Sequence, residues 1–107
     1  MALTSSDREA LAELRDRLLR DFGAVDLRVF GSKAQGTDLP DSDIDLAVVL
    51  RNTSPELESA VDDIVYDINL EHGCLFVPVY FSQHEVTEGP LSESPLYGRI
   101  LREGVSI

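Results

Sequence analysis

Residues 25–50 read VDLRVFGSKAQGTDLPDSDIDLAVVL, and this stretch decides the fold. Residues 25–30 alternate apolar and polar side chains, as a half-buried strand does. Residues 31–42 are rich in Gly, Ser, Asp and Pro, which predicts a loop with at most one helical turn. Residues 43–50 predict a second strand, and its apolar second half favours a central place in a sheet. Because the connecting loop is short, we expect the two strands to pair as neighbours.

The segments on either side of these strands predict helices. Residues 6–22 carry apolar side chains at steps of three and four, which gives one apolar stripe. Ser6 and Glu9 have the spacing of a capping box, and a glycine follows the stripe. Ser54 and Pro55 are a typical N-cap and first helical residue, and the helix they begin continues to another glycine.

The rest of the chain predicts one more strand and one more helix. Residues 74–81 form a third strand, which lies at an edge or carries a bulge because Pro78 cannot donate a ladder hydrogen bond. Residues 82–94 are polar and predict irregular structure, and residues 96–103 predict a short helix. This order predicts a single α/β (α+β) domain over residues 1–107. We expect a small mixed sheet of three to four strands with helices mainly on one face.

The composition excludes several classes of partner. The chain has 107 residues, enough for one domain with its own core, and a net charge of −11. It therefore has no basic surface for DNA, RNA or an anionic membrane. Cys74 is the only cysteine, so an internal disulfide is impossible and a reducing cytoplasm is the expected location. No leader is recognised, and the longest apolar run, residues 74–81, is too short to span a bilayer.

The negative charge is concentrated in one part of the chain. Residues 38–72 contain ten acids and one base, Arg51. In the second predicted helix, like charges lie four residues apart, and residues 52–98 contain no Lys or Arg to relieve them. Such an acidic face is either solvated surface or a site for a basic protein partner.

Asp43 and Asp45 are candidate metal ligands. On a strand they point to the same face while Ile44 points to the other. Paired carboxylates repel each other, and Mg²⁺ removes that repulsion while sharing its shell with substrate phosphates. Gly31 and Ser32 directly follow a strand, where backbone amides and a hydroxyl can hold phosphate oxygens. Each feature also has a structural interpretation, since Gly-Ser is common in turns and Asp-x-Asp in solvated strand ends.

The spacing G-S-x(10)-D-x-D resembles the signature of the DNA polymerase β-like nucleotidyltransferase superfamily, and the short chain resembles its minimal nucleotidyltransferases. The resemblance implies the polymerase β-like fold and ATP as donor. It implies that Gly31 and Ser32 contact the nucleotide phosphates and that Asp43 and Asp45 are catalytic and bind Mg²⁺. Lys33 follows as a further phosphate ligand, or as a solvated loop lysine.

The resemblance also predicts an activity and a partner. It implies transfer of AMP to a protein hydroxyl, by an antitoxin whose partner is a small helical toxin of the HEPN type. Active relatives carry a third carboxylate on the strand after the second helix, and residues 74–81 contain no acid. Two hypotheses follow: an adenylyltransferase, or a catalytically weak or inactive subunit that neutralises its partner by contact. A generic acidic domain with a fortuitous motif is the third.

Overall fold

A four-stranded sheet and four helices make up the part of the chain that the computed structural model describes, residues 3–31, 43–89 and 94–107. Within these ranges, none of the helices combines the length and the apolar character needed to cross a bilayer. In chain order the elements are α1 (Ser5–Phe22), β1 (Ala24–Phe30), β2 (Ile44–Leu50), α2 (Pro55–His72), β3 (Phe76–Ser82), α3 (Gln83–Thr87), α4 (Pro95–Glu103) and β4 (Val105–Ser106).

The sheet has the strand order β3-β2-β1-β4. As predicted, β1 and β2 are neighbours and β3 lies at an edge, where Pro78 is tolerated; β1 and β2 run antiparallel. β2 and β3 are parallel and are connected through α2. The second edge strand, β4, was not predicted, because two residues that pair with Arg28 and Val29 are too few to show a periodicity.

The helix ends follow local side-chain chemistry. The predicted capping box of Ser6 and Glu9 is wrong: Thr4 caps α1, and its hydroxyl accepts from the Asp7 amide at 3.0 Å while the Asp7 carboxylate accepts from the Thr4 amide at 3.1 Å. The capping box is therefore formed by Thr4 and Asp7, two residues before the predicted pair. Ser6 instead donates to the carbonyl oxygen of His72 at 2.8 Å, which joins α1 to the end of α2.

The two faces of the sheet carry different helices. The long helices α1 and α2 pack on one face, as predicted, around fully buried side chains that include Leu14, Ile44 and Ile68. The short helices α3 and α4 pack on the opposite face, where Phe81 and Ile100 belong to a second apolar cluster. The prediction of irregular structure over residues 82–94 is wrong at α3, which begins at a Ser82–Glu85 capping box.

The junction between α2 and β3 is fixed by one side chain. The Asn69 amide donates to the Phe76 carbonyl oxygen at 3.1 Å and accepts from the Phe76 amide at 2.9 Å. Cys74 lies between them and is buried. Burial raises the pKa of the Cys74 thiol to about 11, with a smaller contribution from a hydrogen bond to Asp7. The start of β3, next to β2, is therefore held by specific contacts.

Candidate functional site

Gly31 lies against Asp45 at one end of the sheet. The register of β1 and β2 places Phe30 opposite Asp45, and Gly31 is the next residue. Its φ of +74° lies in the left-handed region that glycine adopts without strain. A Cβ atom at this position would lie 2.6 Å from Asp45 Oδ2, closer than real Cβ contacts come. The sequence therefore needs glycine here for two reasons, the backbone turn and the adjacent carboxylate.

Asp45 lies on the sheet face opposite to that of Ile44, and a common face for Asp43 and Asp45 stays a prediction because Asp43 lies just before β2. Ile44, between them, is 1% exposed and packs into the core beneath α1 and α2. The residues that continue the Asp45 side of β2 are Ala47 and Val49, which pack in the cluster with α3 and α4. Asp43 is exposed and directly precedes the strand, and Asp45 is half-buried. The Asp45 carboxylate therefore faces away from the long helices.

The donor set at this end of the sheet fits a hard divalent cation. Carboxylate oxygens are the ligands that Mg²⁺ takes from proteins, and two of them leave positions for water and substrate oxygens. Gly31 brings the backbone within reach of the same carboxylate without a side chain in between. Ser32 and Lys33, the other predicted phosphate ligands, lie outside the described residues, so their placement stays a prediction.

β3 contains no acid, and the register of the sheet shows which of its residues lies beside Asp45. β3 runs beside β2 in parallel, and its register pairs Asp45 with Val77. Paired residues on neighbouring strands point to the same face, so Val77 occupies the place where an acid on β3 would stand beside Asp45. The Val77 side chain is 41% exposed. The absence of an acid therefore leaves an apolar, solvent-exposed position at the site.

Glu71 does not supply a third carboxylate beside Asp45. It lies in a group with Glu13 and His72, whose potential ligand atoms are within 4.8 Å of one another. His72 Nε2 is 2.7 Å from Glu13 Oε2, which ties the end of α2 to α1 on the face opposite Asp45. Sequence spacing could not reveal this group, because Glu13 and His72 are 59 positions apart. Glu71 thus lies with Glu13 and with a His72 side chain that is 19% exposed, away from Asp45.

Helix α4 covers the same sheet face as Asp45. Tyr97 packs against Phe81 with ring centroids 5.1 Å apart, and both belong to the cluster that contains Ile100. Burial raises the pKa of the Tyr97 phenol, and the nearby Asp26 carboxylate adds to this effect. Arg28, which binds Asp26 at 2.8 Å, opposes it. Helix α4 is thus anchored over β1, close to the turn at Gly31.

The side chains of α2 that face away from the sheet combine acids with exposed apolar groups. The side chains of Tyr66 and Leu70 are 63% and 68% exposed. Asp62 accepts a hydrogen bond from the Tyr80 hydroxyl at 2.5 Å. Burial raises the pKa of this phenol, and the Asp62 hydrogen bond raises it further. In the described ranges, no Lys or Arg forms an ion pair with an acid of α2.

The chain resembles known proteins in sequence and in fold. Residues 11–93 match the family model described as a nucleotidyltransferase domain. A search of curated proteins finds no match. Among solved structures, the chain is similar to one described as the crystal structure of a toxin-antitoxin with AMP-PNP. The similarity has a TM-score of 0.62 at 18% identity and covers 96% of this chain and 72% of the other. At that identity the likeness shows a shared fold.

Proposed function

Since the chain belongs to the nucleotidyltransferase-domain family, we propose that it is a Mg²⁺-dependent transferase that moves AMP from ATP to a hydroxyl group of a protein partner. The observation that carries the proposal is the close approach of Gly31 to Asp45. It sets a side-chain-free turn, which phosphate oxygens can reach, against a carboxylate that can hold a metal ion. The similar structure described with AMP-PNP supports an adenine nucleotide as donor.

In the proposed reaction the acceptor oxygen bonds to the α-phosphorus of ATP. The bond from that phosphorus to the oxygen bridging to the β-phosphate breaks, and pyrophosphate leaves with this oxygen. Asp43 and Asp45 would hold Mg²⁺, which when bound neutralises phosphate charge and orients the triphosphate. Gly31 admits the phosphate chain, and Ser32 and Lys33 are proposed to bind its oxygens. Positioning and charge neutralisation account for most of the catalysis in such reactions.

The acceptor hydroxyl must also lose a proton. In active relatives the third carboxylate takes it, and here the corresponding face of β3 presents Val77. We infer that the base comes from the partner protein or that transfer is slow. The same observation favours a second candidate function, in which the domain binds the nucleotide and neutralises its partner by contact alone.

The outer face of α2 is the proposed partner surface. Asp63 and Asp67 supply negative charge around Tyr66 and Leu70, and all four side chains are exposed. Like charges four residues apart repel each other, so a basic partner that binds there would relieve repulsion as well as cover apolar surface. The similar structure is described as a toxin-antitoxin. We therefore propose an antitoxin role, with a basic helical toxin of the HEPN type as partner.

The test is transfer of radiolabel from α-labelled ATP, in the presence of Mg²⁺, to the protein encoded by the neighbouring gene. Wild type should label the partner, and Asp43→Asn with Asp45→Asn should abolish labelling while leaving partner binding unchanged. Binding without labelling in the wild type would reject the enzymatic function and support neutralisation by contact.

A second pair of variants tests the partner surface. Tyr66→Ser with Leu70→Ser should weaken partner binding, because both exposed side chains lie on the outer face of α2. Leu19→Ser is the matched control, since Leu19 is 49% exposed on α1. Equal partner affinity of the two variants, measured by calorimetry, would place the interface elsewhere.

A further inference from the structure

A cavity of about 120 Å³ opens between the end of β1 and α4, beside the proposed active site. It is lined by the apolar side chains of Phe30, Leu96 and Ile100, by the backbone at Gly31, and by the charged side chains of Arg99 and Glu103. It shares Gly31 with the proposed phosphate site. Ile100 packs in the same cluster as Ala47 and Val49, which continue the Asp45 side of β2, so the cavity and Asp45 are on one sheet face.

The cavity is large enough for only one part of a nucleotide. Sites for whole ligands of drug size occupy about 300–1,000 Å³, whereas a cavity of about 150 Å³ holds a benzene ring. At about 120 Å³, and open to solvent past the exposed side chains of Leu96 and Arg99, this cavity admits one edge of a flat ring system. It is too small for a complete nucleoside triphosphate.

The side chains that line the cavity show which part of a nucleotide it can bind. A phosphate group would meet apolar side chains and the negative charge of Glu103, and a ribose would leave its hydroxyls without partners. A base presents an apolar ring face to Phe30, Leu96 and Ile100. Arg99 Nε and Glu103 Oε2, 3.6 Å apart, offer a donor and an acceptor side by side. An exocyclic amine next to a ring nitrogen acceptor, as adenine and cytosine have, matches that pair.

We propose that this cavity binds the nucleobase of the donor nucleotide and selects a base whose edge carries an amine beside a ring nitrogen. The proposal rests on the proposed function, because it assigns the base of the nucleotide whose phosphates lie at Gly31. The amine donates to Glu103, the ring nitrogen accepts from Arg99, and the ring faces contact Leu96 and Ile100. Adenine and cytosine share this edge, whereas hypoxanthine and uracil have a carbonyl in place of the amine.

The experiment measures the affinity of the full chain, with Mg²⁺, for non-hydrolysable analogues of ATP, ITP, CTP and UTP, and for inorganic tripolyphosphate. ATP should bind about tenfold or more tightly than ITP, the ratio expected when a charged acceptor loses its donor. CTP should exceed UTP in the same way, and the stronger of ATP and CTP identifies the base. Equal affinities for ATP and ITP would overturn the proposal.

Variants on α4 provide matched controls. Leu96→Trp fills the cavity, and Leu101→Trp adds the same bulk at a residue that is also 47% exposed and does not line it. Leu96→Trp should weaken ATP binding about tenfold and leave tripolyphosphate binding unchanged, and Leu101→Trp should change neither. Glu103→Ala should remove the preference for ATP over ITP, whereas Arg102→Ala should keep it. Identical ATP affinities of the two Trp variants would refute the cavity as the base site.

Failure of this inference differs from failure of the proposed function. If tripolyphosphate binds and no base is preferred, the phosphate site stands and the base site is rejected. If neither tripolyphosphate nor any nucleotide binds, both the proposed function and this inference are rejected. Thermal denaturation of each variant shows whether the fold is kept before affinities are compared.

Discussion

Replacing Gly31 with alanine tests whether its contact with Asp45 shapes the site. Two separate effects are expected. The φ of +74° costs an alanine roughly 1–2 kcal/mol, because its Cβ would crowd the backbone. In addition, that Cβ would lie 2.6 Å from Asp45 Oδ2, so the carboxylate must move by 0.4 Å to reach 3.0 Å and by 0.8 Å to reach 3.4 Å. A carboxylate at the end of a side chain can make that movement at little cost in stability.

The matched control is Gly73→Ala. Gly73 has a φ of +69°, and a Cβ there would meet nothing within 4 Å. Both variants should therefore lose about 1–2 kcal/mol of stability, a decrease in melting temperature of about 5–15 °C. Only Gly31→Ala moves Asp45, and Mg²⁺ tolerates little displacement of ligands that it binds at about 2.0–2.1 Å. We therefore expect Gly31→Ala alone to lose affinity for Mg²⁺ with nucleotide.

The assay is thermal denaturation with and without Mg²⁺ and a non-hydrolysable ATP analogue. A ligand at 100 times its Kd stabilises a protein by about 2.7 kcal/mol, and a tenfold loss of affinity removes about 1.4 kcal/mol of that. Wild type and Gly73→Ala should show the full increase in melting temperature, and Gly31→Ala a smaller one. If both alanine variants respond equally to Mg²⁺ and nucleotide, the contact does not hold Asp45 in a ligand-binding position and the reasoning is refuted.

Three further predictions concern β3 and its junction with α2. Val77→Asp places a carboxylate beside Asp45 and should raise the transfer rate, up to the roughly 100-fold that a positioned base contributes. Leu19→Asp, at an exposed position of α1 on the opposite sheet face, should not raise it, and equal rates would contradict the register argument. Asn69→Leu should lower the free energy of unfolding in urea by about 2 kcal/mol, because it leaves both polar groups of Phe76 without partners; a change below about 0.5 kcal/mol would contradict this. The pKa of the Cys74 thiol is about 11, so only about one thiol in a thousand is ionised at pH 8. A disulfide reagent should therefore react far more slowly with the native chain than with the chain in urea. The native rate should rise as the pH approaches 11. Equal rates in the two states would contradict burial of the thiol.

The parts of the fold with a strong local signal could be predicted from sequence. Glycine after an apolar stripe marked the ends of α1 and α2, and Pro78 marked an edge strand. The capping residue of α1 was placed two residues late because Ser6 and Thr4 each begin a pattern with capping spacing, and only the packing of the chain decides between them. β4 could not be predicted, since its two residues acquire their structure from pairing with β1.

Some features of the candidate site could likewise be predicted from sequence, and others depend on how the strands pair. The residue types and spacing of Gly31, Asp43 and Asp45 pointed to phosphate and metal chemistry before any geometry was known. That Gly31 touches Asp45 depends on the register of β1 and β2, which no spacing reveals. The position of Val77 beside Asp45 likewise follows from the pairing of β2 with β3. The cavity depends on how α4 crosses β1, so it left no trace in the sequence.

Pro78 has a consequence for how other chains can attach to this one. An edge strand exposes a row of backbone donors and acceptors, which invites another strand to extend the sheet and is a common route to aggregation. Proline in an edge strand lacks the N–H that would face solvent, so the outer row of β3 is interrupted at its third residue. An added strand would find no continuous ladder there. A partner on this side must therefore recognise side chains, and the sheet is protected from growth at β3.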